Sequence, residues 1–296
     1  MTRLFGVIVA GVAAVAVPPF PHAASEPALA ARIRQITRST TWTRADAIPI
    51  AFPTFHPQGM VRIDESFFMT AVDKTSNAGH LFKIDAHGGL VADLPLGDGA
   101  MFHPGGIDYD GHAIWIPVAE YRPDSRAIVY RVDPATMKAT EVFRFADHLG
   151  AIVHDTDDNS LHAVSWGSRR FYRWPLTTAG GVVDPAAAAA HARLNHAHYV
   201  DYQDCHYAGA HLMLCDGVAE LRGSPVVTFR LGGLELVDLI EGRPVHQVPV
   251  PLWTATGRVM TENPFWIEPT PAGLRAFFVP EDDRSTIYVY DLKSIS

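Results

Sequence analysis

"MFHPGGIDYDGHAIWIPVAEY", residues 101–121, repeats in step a stretch already written as "TFHPQGMVRIDESFFMTAVDK", residues 54–74. Both spell Phe-His-Pro-x-Gly, then an alternating run, a turn and a second alternating run, with no gap between the copies and an offset of 47 residues. Self-similarity at such a period is the mark of solenoids, propellers or arrays, because one supersecondary unit cannot bury its apolar faces alone. Working outward, the unit recurs as HLGAIVHD from His148, DYQDCHYAG from Asp201 and ENPFWIEPT from Glu262. The starts at 56, 103, 148, 201 and 262 are 47, 45, 53 and 61 residues apart, room for four short strands and their loops.

The segments between these starts read as strands. FFMTAV, HLFKID, AIWIPVA, AIVYRVD, HAVSW, VVTFRL, LRAFFVP and TIYVYDL are short, β-branched or aromatic, and bounded by Gly, Pro, Asn or Asp. A helical turn near EPALAARIRQI is the one competing pattern. The expected fold is all-β, a five-bladed β-propeller, with six blades as the alternative should residues 26–50 or 218–260 hide another. The last unit supplies three strands, and TWTRADAIPI, residues 41–50, is expected to supply the fourth by pairing near residues 286–291, leaving no free sheet edge. DPAAAAAHAR, residues 184–193, reads as a surface insertion in the third unit.

Residues 1–24 combine Arg3, an apolar run from Leu4 to Val17 and small residues at Ala23 and Ala24, the pattern of a cleaved secretory signal. The apolar run is shorter than the ~20 residues that span a bilayer, and no later run is long enough. The expected division is a signal peptide at 1–24, an extension at 25–42 and one propeller domain at 43–296, secreted or periplasmic and monomeric. Losing Arg3 leaves 23 Lys and Arg against 32 Asp and Glu, a formal charge of −9. That surface excludes nucleic acid as a partner and favours cations or small molecules. Cys205 and Cys215, the two cysteines, flank a turn at Ala210 and are expected to bridge across one hairpin, with Cα atoms ~4.4 to 6.8 Å apart.

In a propeller the first strand of each blade lines the axis, so the residues opening the five units converge. Here they are His56, His103, His148, Asp201 and Glu262, each a metal-competent side chain. Three imidazoles and two carboxylates are a ligand set for a divalent transition metal, Zn, Mn or Fe. His198 or Asp204 replaces Asp201 if the register slips. The other reading of the repeated His-Pro is a structural one, in which Pro fixes the backbone entering each blade.

The second strands end near the same mouth with Asp73, Glu120 and Glu281, and with Asp216 or Glu220 in the fourth unit. Such acids are either solvated caps or groups that orient histidines and move protons for a metal-bound water. Asp73 and Glu120 are taken as catalytic candidates, with Tyr121 and Arg169 from the neighbouring loops as substrate-binding ones; Arg122, Trp166 and Arg170 lie in the same loops. Imidazoles of His56, His103 and His148 on one ion would bring their nitrogens to roughly 3 to 4 Å of one another.

The run from FPTFHPQGM through GHLFKID, FHPGGIDYDGHAIWIPVAEYRPDS and HDTDDNSLHAVSWGSRRFYRW is similar to an uncharacterised family of secreted bacterial and fungal proteins, a domain of unknown function, over most of the mature chain. That resemblance implies no reaction. HPQGM also resembles the QGL-type blade openings of five-bladed propeller glutaminyl cyclases, which implies a metal at the channel, although the three histidines depart from that pattern. Metal-binding propeller lyases and lactonases are similar in architecture alone. Two functions follow: a secreted metalloenzyme acting on a small molecule as hydrolase, lyase or cyclase, or a non-catalytic binding propeller.

Overall fold

The computed structural model describes residues 28–224 and 227–293. The expected signal peptide lies outside the described residues, and within them no helix is long and apolar enough to cross a membrane.

Among the described residues, twenty-one strands form five antiparallel sheets. Blade one is built from His56–Ile63, Ser66–Asp73, Ala78–Ile84 and Leu90–Leu96 in that order. In blade two the first strand is split into Met101–Pro104 and Asp108–Tyr109, both pairing with Ile114–Glu120, and Ala127–Asp133 and Lys138–Phe145 follow. Blade three comprises Ala151–Asp155, Ser160–Val164, Arg170–Pro175 and the short Arg193–Leu194. Asp201–Gly209, Leu212–Ser224, Val227–Asp238 and Arg243–Val250 make blade four. Blade five joins Phe265–Thr270, Gly273–Phe278 and Thr286–Lys293 to Trp42–Pro49, which pairs with Thr286–Lys293 from Trp42 opposite Leu292 to Pro49 opposite Thr286.

Each sheet buries both faces, and this accounts for the near-continuous apolar strands. In Ser66–Asp73, Phe67, Met69 and Ala71 pack with Phe277, Val279 and Val289 of blade five, whereas Phe68 points the other way, against Ile114, Ile116 and Val118 of blade two. Trp115, Phe143, Leu161 and Trp174 fill the junction of blades two and three, and Val153, Val164, Met213 and Val237 that of three and four. Leu214, Leu236, Phe265 and Phe278 join blades four and five, where the helix Ala28–Ile33 adds Ala30 and Ile33. An apolar layer at every junction, the last with the first included, closes five blades into a ring. Complete burial of one large apolar side chain is worth about 1.5–3 kcal/mol, so these layers dominate the stability.

The insertion in blade three lies between its third and fourth strands, carries the one-turn helix Ala187–Ala190 and covers Trp174, whose Nε1 donates to the Pro185 carbonyl at 2.9 Å. Cys205 and Cys215 are joined by a disulfide, facing each other in register with a Cα separation of 4.1 Å, a little under the expected range. Ala210 and His211 form the turn between them: Gly209 pairs with Leu212, and an irregularity between Tyr207 and Gly209 absorbs the odd residue.

The glycine of the repeated motif has a steric cause. A Cβ on Gly59 would lie 2.7 Å from the Ile107 nitrogen, and one on Gly105 would lie 2.1 Å from the Gly150 oxygen. First strands of neighbouring blades therefore touch backbone to backbone at the axis, an approach that only glycine permits. Gly106 N–H donates to the Gly150 carbonyl at 2.8 Å, and the buried Asp204 carboxylate accepts from Met60 N at 2.8 Å, Ile107 N at 2.9 Å and Cys205 N at 3.0 Å. These bonds stitch the inner strands together beneath the mouth.

Candidate functional site

Above that floor lies a pocket of about 670 Å³ lined by His56, His103, His148 and Asp201, together with Gln58, Tyr121, Trp166 and Gln203. His56 and His103 enter it for the same reason: each precedes the proline and glycine that turn the chain onto the axis, and each pairs with the matching residue of its second strand, Val72 or Ala119.

Two of the imidazoles are held by their Nδ1. His148 donates Nδ1–H to the carbonyl oxygens of Glu120, at 3.0 Å, and Arg122, at 3.2 Å. His56 Nδ1 lies 2.7 Å from Asp282 Oδ1, and Asp282 is itself fixed by Arg258 at 3.0 Å and Asn263 at 3.2 Å. Burial pushes the Asp282 carboxyl up, but His56, Arg258 and Asn263 outweigh it and hold the group down to about 2. A ring whose Nδ1 donates keeps its lone pair on Nε2, the arrangement of a metal-ligating histidine with an acceptor behind it. His103 is different: its Nδ1 is buried with no partner.

Burial keeps the rings of His103 and His148 electrically neutral. Burial lowers His103 well below the ordinary value, with His148 and His56 adding to the effect, and burial takes His148 down to about 4 despite its two carbonyl acceptors. The rings of His103 and His148 have centroids 5.4 Å apart. Two imidazoles sharing one tetrahedral ion at ~2.1 Å place their ring centres about 5 Å apart, so this pair suits a common ion. The three nitrogens are not gathered to the expected 3 to 4 Å. Among the described residues, the trios whose donor atoms all lie within 4.8 Å are Asp155, Asp158, His162 and Asp155, Asp157, His211, at another place in the ring. The axial histidines are held apart by their separate anchors, His56 by Asp282 on blade five and His148 by the end of blade two.

Aromatic rings complete one wall. Tyr121 stands edge-on to His103 at 4.3 Å, Trp166 edge-on to His148 at 4.7 Å, and the ammonium of Lys74 lies 4.9 Å from the Tyr121 ring centre. Asp201 opens the mouth opposite, accepting from Ser168 Oγ at 3.2 Å; partial desolvation raises its carboxyl above the ordinary value.

Several expected site residues face elsewhere. Glu262 does not line the pocket, because its carboxylate is drawn to Arg230 at 2.6 Å and Arg258 at 3.3 Å. Asp73 accepts from Thr75 N at 2.8 Å and from Ser76, capping its own turn. Glu120 is taken up by Arg122 at 2.6 Å and Arg126 at 2.7 Å, so its backbone carbonyl rather than its carboxylate serves His148. Glu281 accepts from Tyr288 at 2.7 Å, and the neighbouring Asp282 is the acid that reaches the site. Arg169 is exposed and outside the lining residues, Arg170 pairs with Asp147 at 3.3 Å, and Asp216 is buried beneath, accepting from Asp204 N. Reading the sequence missed Gln58, Gln203 and Asp282; the run Glu281-Asp282-Asp283 after a strand was the available signal for the last.

The sequence of a family of proteins matches residues 15–294. The chain belongs to the family of unknown function DUF6454. No curated protein matches it. Its fold is similar to that of Myxococcus xanthus glutaminyl cyclase, at 13% identity and a TM-score of 0.52, over 86% of this chain and 97% of that one. A hypothetical protein from Leishmania major is similar at 10% identity and a TM-score of 0.54, covering 84% and 90%. MPT-4, a mannose phosphorylase from Leishmania mexicana solved with a phosphate ion, is similar at 10% identity and 0.51, covering 83% and 88%. At these identities the likeness is one of fold, and a fold alone does not imply a function.

Proposed function

We propose that the axial pocket binds one divalent transition metal, Zn, Mn or Fe, held first by His103 and His148, with His56 and Asp201 at the mouth closing on it by side-chain movement, and that the protein acts on a small molecule there as a hydrolase, lyase or cyclase. The observation that carries this reading is the set of three imidazoles delivered to one pocket by the openings of three successive blades, two with Nδ1 committed to acceptors.

When bound, the metal would supply Lewis acidity toward a substrate oxygen. The chain's own residues do the rest. Asp282 orients His56, the Glu120 carbonyl orients His148, and Gln58 and Gln203 offer amides for polar substrate groups. Trp166 and Tyr121 present flat apolar surface beside the histidines and exclude water from that side. Asp201, with its raised carboxyl at the mouth, is the group best suited to hold or accept a proton. The disulfide and the N-terminal apolar run support export, and the acidic surface supports a small-molecule rather than a nucleic-acid partner.

Elemental analysis of untagged protein tests the reading directly. One equivalent of metal that is lost in His103→Ala supports it; wild-type protein that neither retains nor takes up metal sinks it. Metal without turnover on any small ester, amide or lactone would leave a binding propeller.

A further inference from the structure

The hairpin turn joining the first two strands of blade three, residues 155–160, lies at the end of the blade away from the pocket. Asp155 is five residues beyond Gly150, roughly 16 Å along an extended strand. Here the donor atoms of Asp155, Asp158 and His162 all lie within 4.8 Å of one another. Asp155 is fully buried and His162 is 4% exposed.

We infer that Asp155, Asp158 and His162 bind a second divalent cation, of the Zn²⁺ or Mn²⁺ class, independently of the axial site. The charge around the turn calls for a cation. Asp155, Asp157 and Asp158 cluster there, and Arg173, 2.7 Å from Asp158 Oδ2, is the one arginine or lysine paired with any of them among the described residues. The ionic partners of the buried Asp155 are two histidines.

Those two partners differ in a way that assigns their roles. His211 Nδ1 lies 2.7 Å from Asp155 Oδ2, a hydrogen-bonding distance, which makes it an orienting group behind the carboxylate. His162 Nε2 lies 4.0 Å from the same oxygen, too far for a hydrogen bond. Ligands at ~2.0–2.2 Å from one ion lie about 3 to 4 Å apart, so this spacing is that of two ligands on a shared cation. The hydroxyl of Ser160 lies 2.5 Å from Asp158 Oδ1 and 3.0 Å from His162 Nε2, between two of the three donor atoms. One imidazole and two carboxylates select Zn²⁺ or Mn²⁺ over Ca²⁺, which takes six to eight oxygens.

The site has an entry path. His162 also lines an open groove of about 1530 Å³ between blade three and its insertion, beside Arg173, Trp174 and His191. Three protein ligands leave coordination positions for water or for a group lying in that groove.

The test uses the full chain carrying His103→Ala, which disables the axial site, after chelation and dialysis. Zn²⁺ and, separately, Mn²⁺ are titrated by calorimetry. One equivalent should bind, and adding Asp158→Asn or His162→Gln should weaken it at least 10-fold, with circular dichroism showing that each variant folds. Asp158→Asn keeps the bulk of a side chain at a partly exposed position, so it serves if His162→Gln unfolds. No binding in the His103→Ala protein, or binding unchanged by both additions, overturns the inference. Failure of the axial reading has a different signature: wild type and His103→Ala would then bind equal numbers of ions, with the remaining ion still sensitive to Asp158→Asn.

Discussion

Replacing Gly105 by alanine should cost the ring several kcal/mol, and the reason can be followed atom by atom. The new Cβ would lie 2.1 Å from the Gly150 oxygen, 2.7 Å from its carbonyl carbon and 3.3 Å from the Leu149 oxygen. Ordinary contact begins at 3.4 Å, so the two strands must part by more than 1 Å. Neither is free to do so. Gly105 N–H donates to Pro117 at 2.9 Å, its carbonyl accepts Thr70 Oγ1 at 2.9 Å, and Gly106 N–H donates to Gly150 at 2.8 Å. Overpacking costs about 1–3 kcal/mol, and each buried hydrogen bond broken adds about 1 kcal/mol. With two bonds lost the expected destabilisation is about 3–5 kcal/mol, which at about 2–4 °C per kcal/mol lowers Tm by roughly 10 °C. Gly150→Ala is the control, because its Cβ would meet nothing nearer than 3.6 Å. Urea unfolding followed by tryptophan fluorescence should find Gly150→Ala within about 1 kcal/mol of wild type. Equal losses in the two variants, or a stable Gly105→Ala, would refute the argument from axial close packing.

Burial and the neighbouring Asp204 push the Asp216 carboxyl well above its ordinary value of 3.8, so the folded state holds a proton that the unfolded chain releases and stability falls as pH rises. Asp216→Asn removes that dependence and should gain on wild type by up to about 1.4 kcal/mol per pH unit above pH ~4; a difference that does not change with pH, in urea unfolding at successive pH values, would show that Asp216 ionises normally. Opening the Cys205–Cys215 bridge by a Ser/Ser double substitution should cost about 3 kcal/mol in the same assay, the loop entropy of a short hairpin, and a loss below 1 kcal/mol would mean that the strands alone hold the pairing. Deleting residues up to 41 should take Ala30, Ile33 and Ile36 out of the core between blades four and five and lower Tm, and deleting up to 50 should remove the outer strand of blade five as well and lower it further; equal Tm values for the two truncations would show that the strand adds nothing.

The ring could be read from the sequence because its unit is repeated in register. Phe-His-Pro-x-Gly marks the entry of a strand onto the axis, and the apolar strands that follow are buried on both faces. His56, His103 and His148 could be placed in one pocket for the same reason. The strand-end acids could not be assigned, since one residue's shift decides whether a carboxylate reaches a pocket histidine, as Asp282 does, or a tyrosine, as Glu281 does. Glu262 was misread because its partners, Arg230 and Arg258, come from parts of the chain with no repeat to align. The Asp155 cluster left no mark in the repeat: its third member, His162, is a strand residue whose direction toward the turn is set only by folding.

The pairing of Trp42–Pro49 with Thr286–Lys293 has a consequence for how the protein comes into being. A chain made from its N-terminus exposes residues 42–49 early, and their partner strand emerges some 240 residues later. Throughout that interval the early strand has no edge to join, and blades one to four can assemble without it. The last sheet is thus the one with the largest entropy of closure, and its completion must be among the final events of folding. An unpaired β segment kept waiting so long is exposed to pairing with other chains, so the yield of native protein should fall steeply as chain concentration rises during refolding.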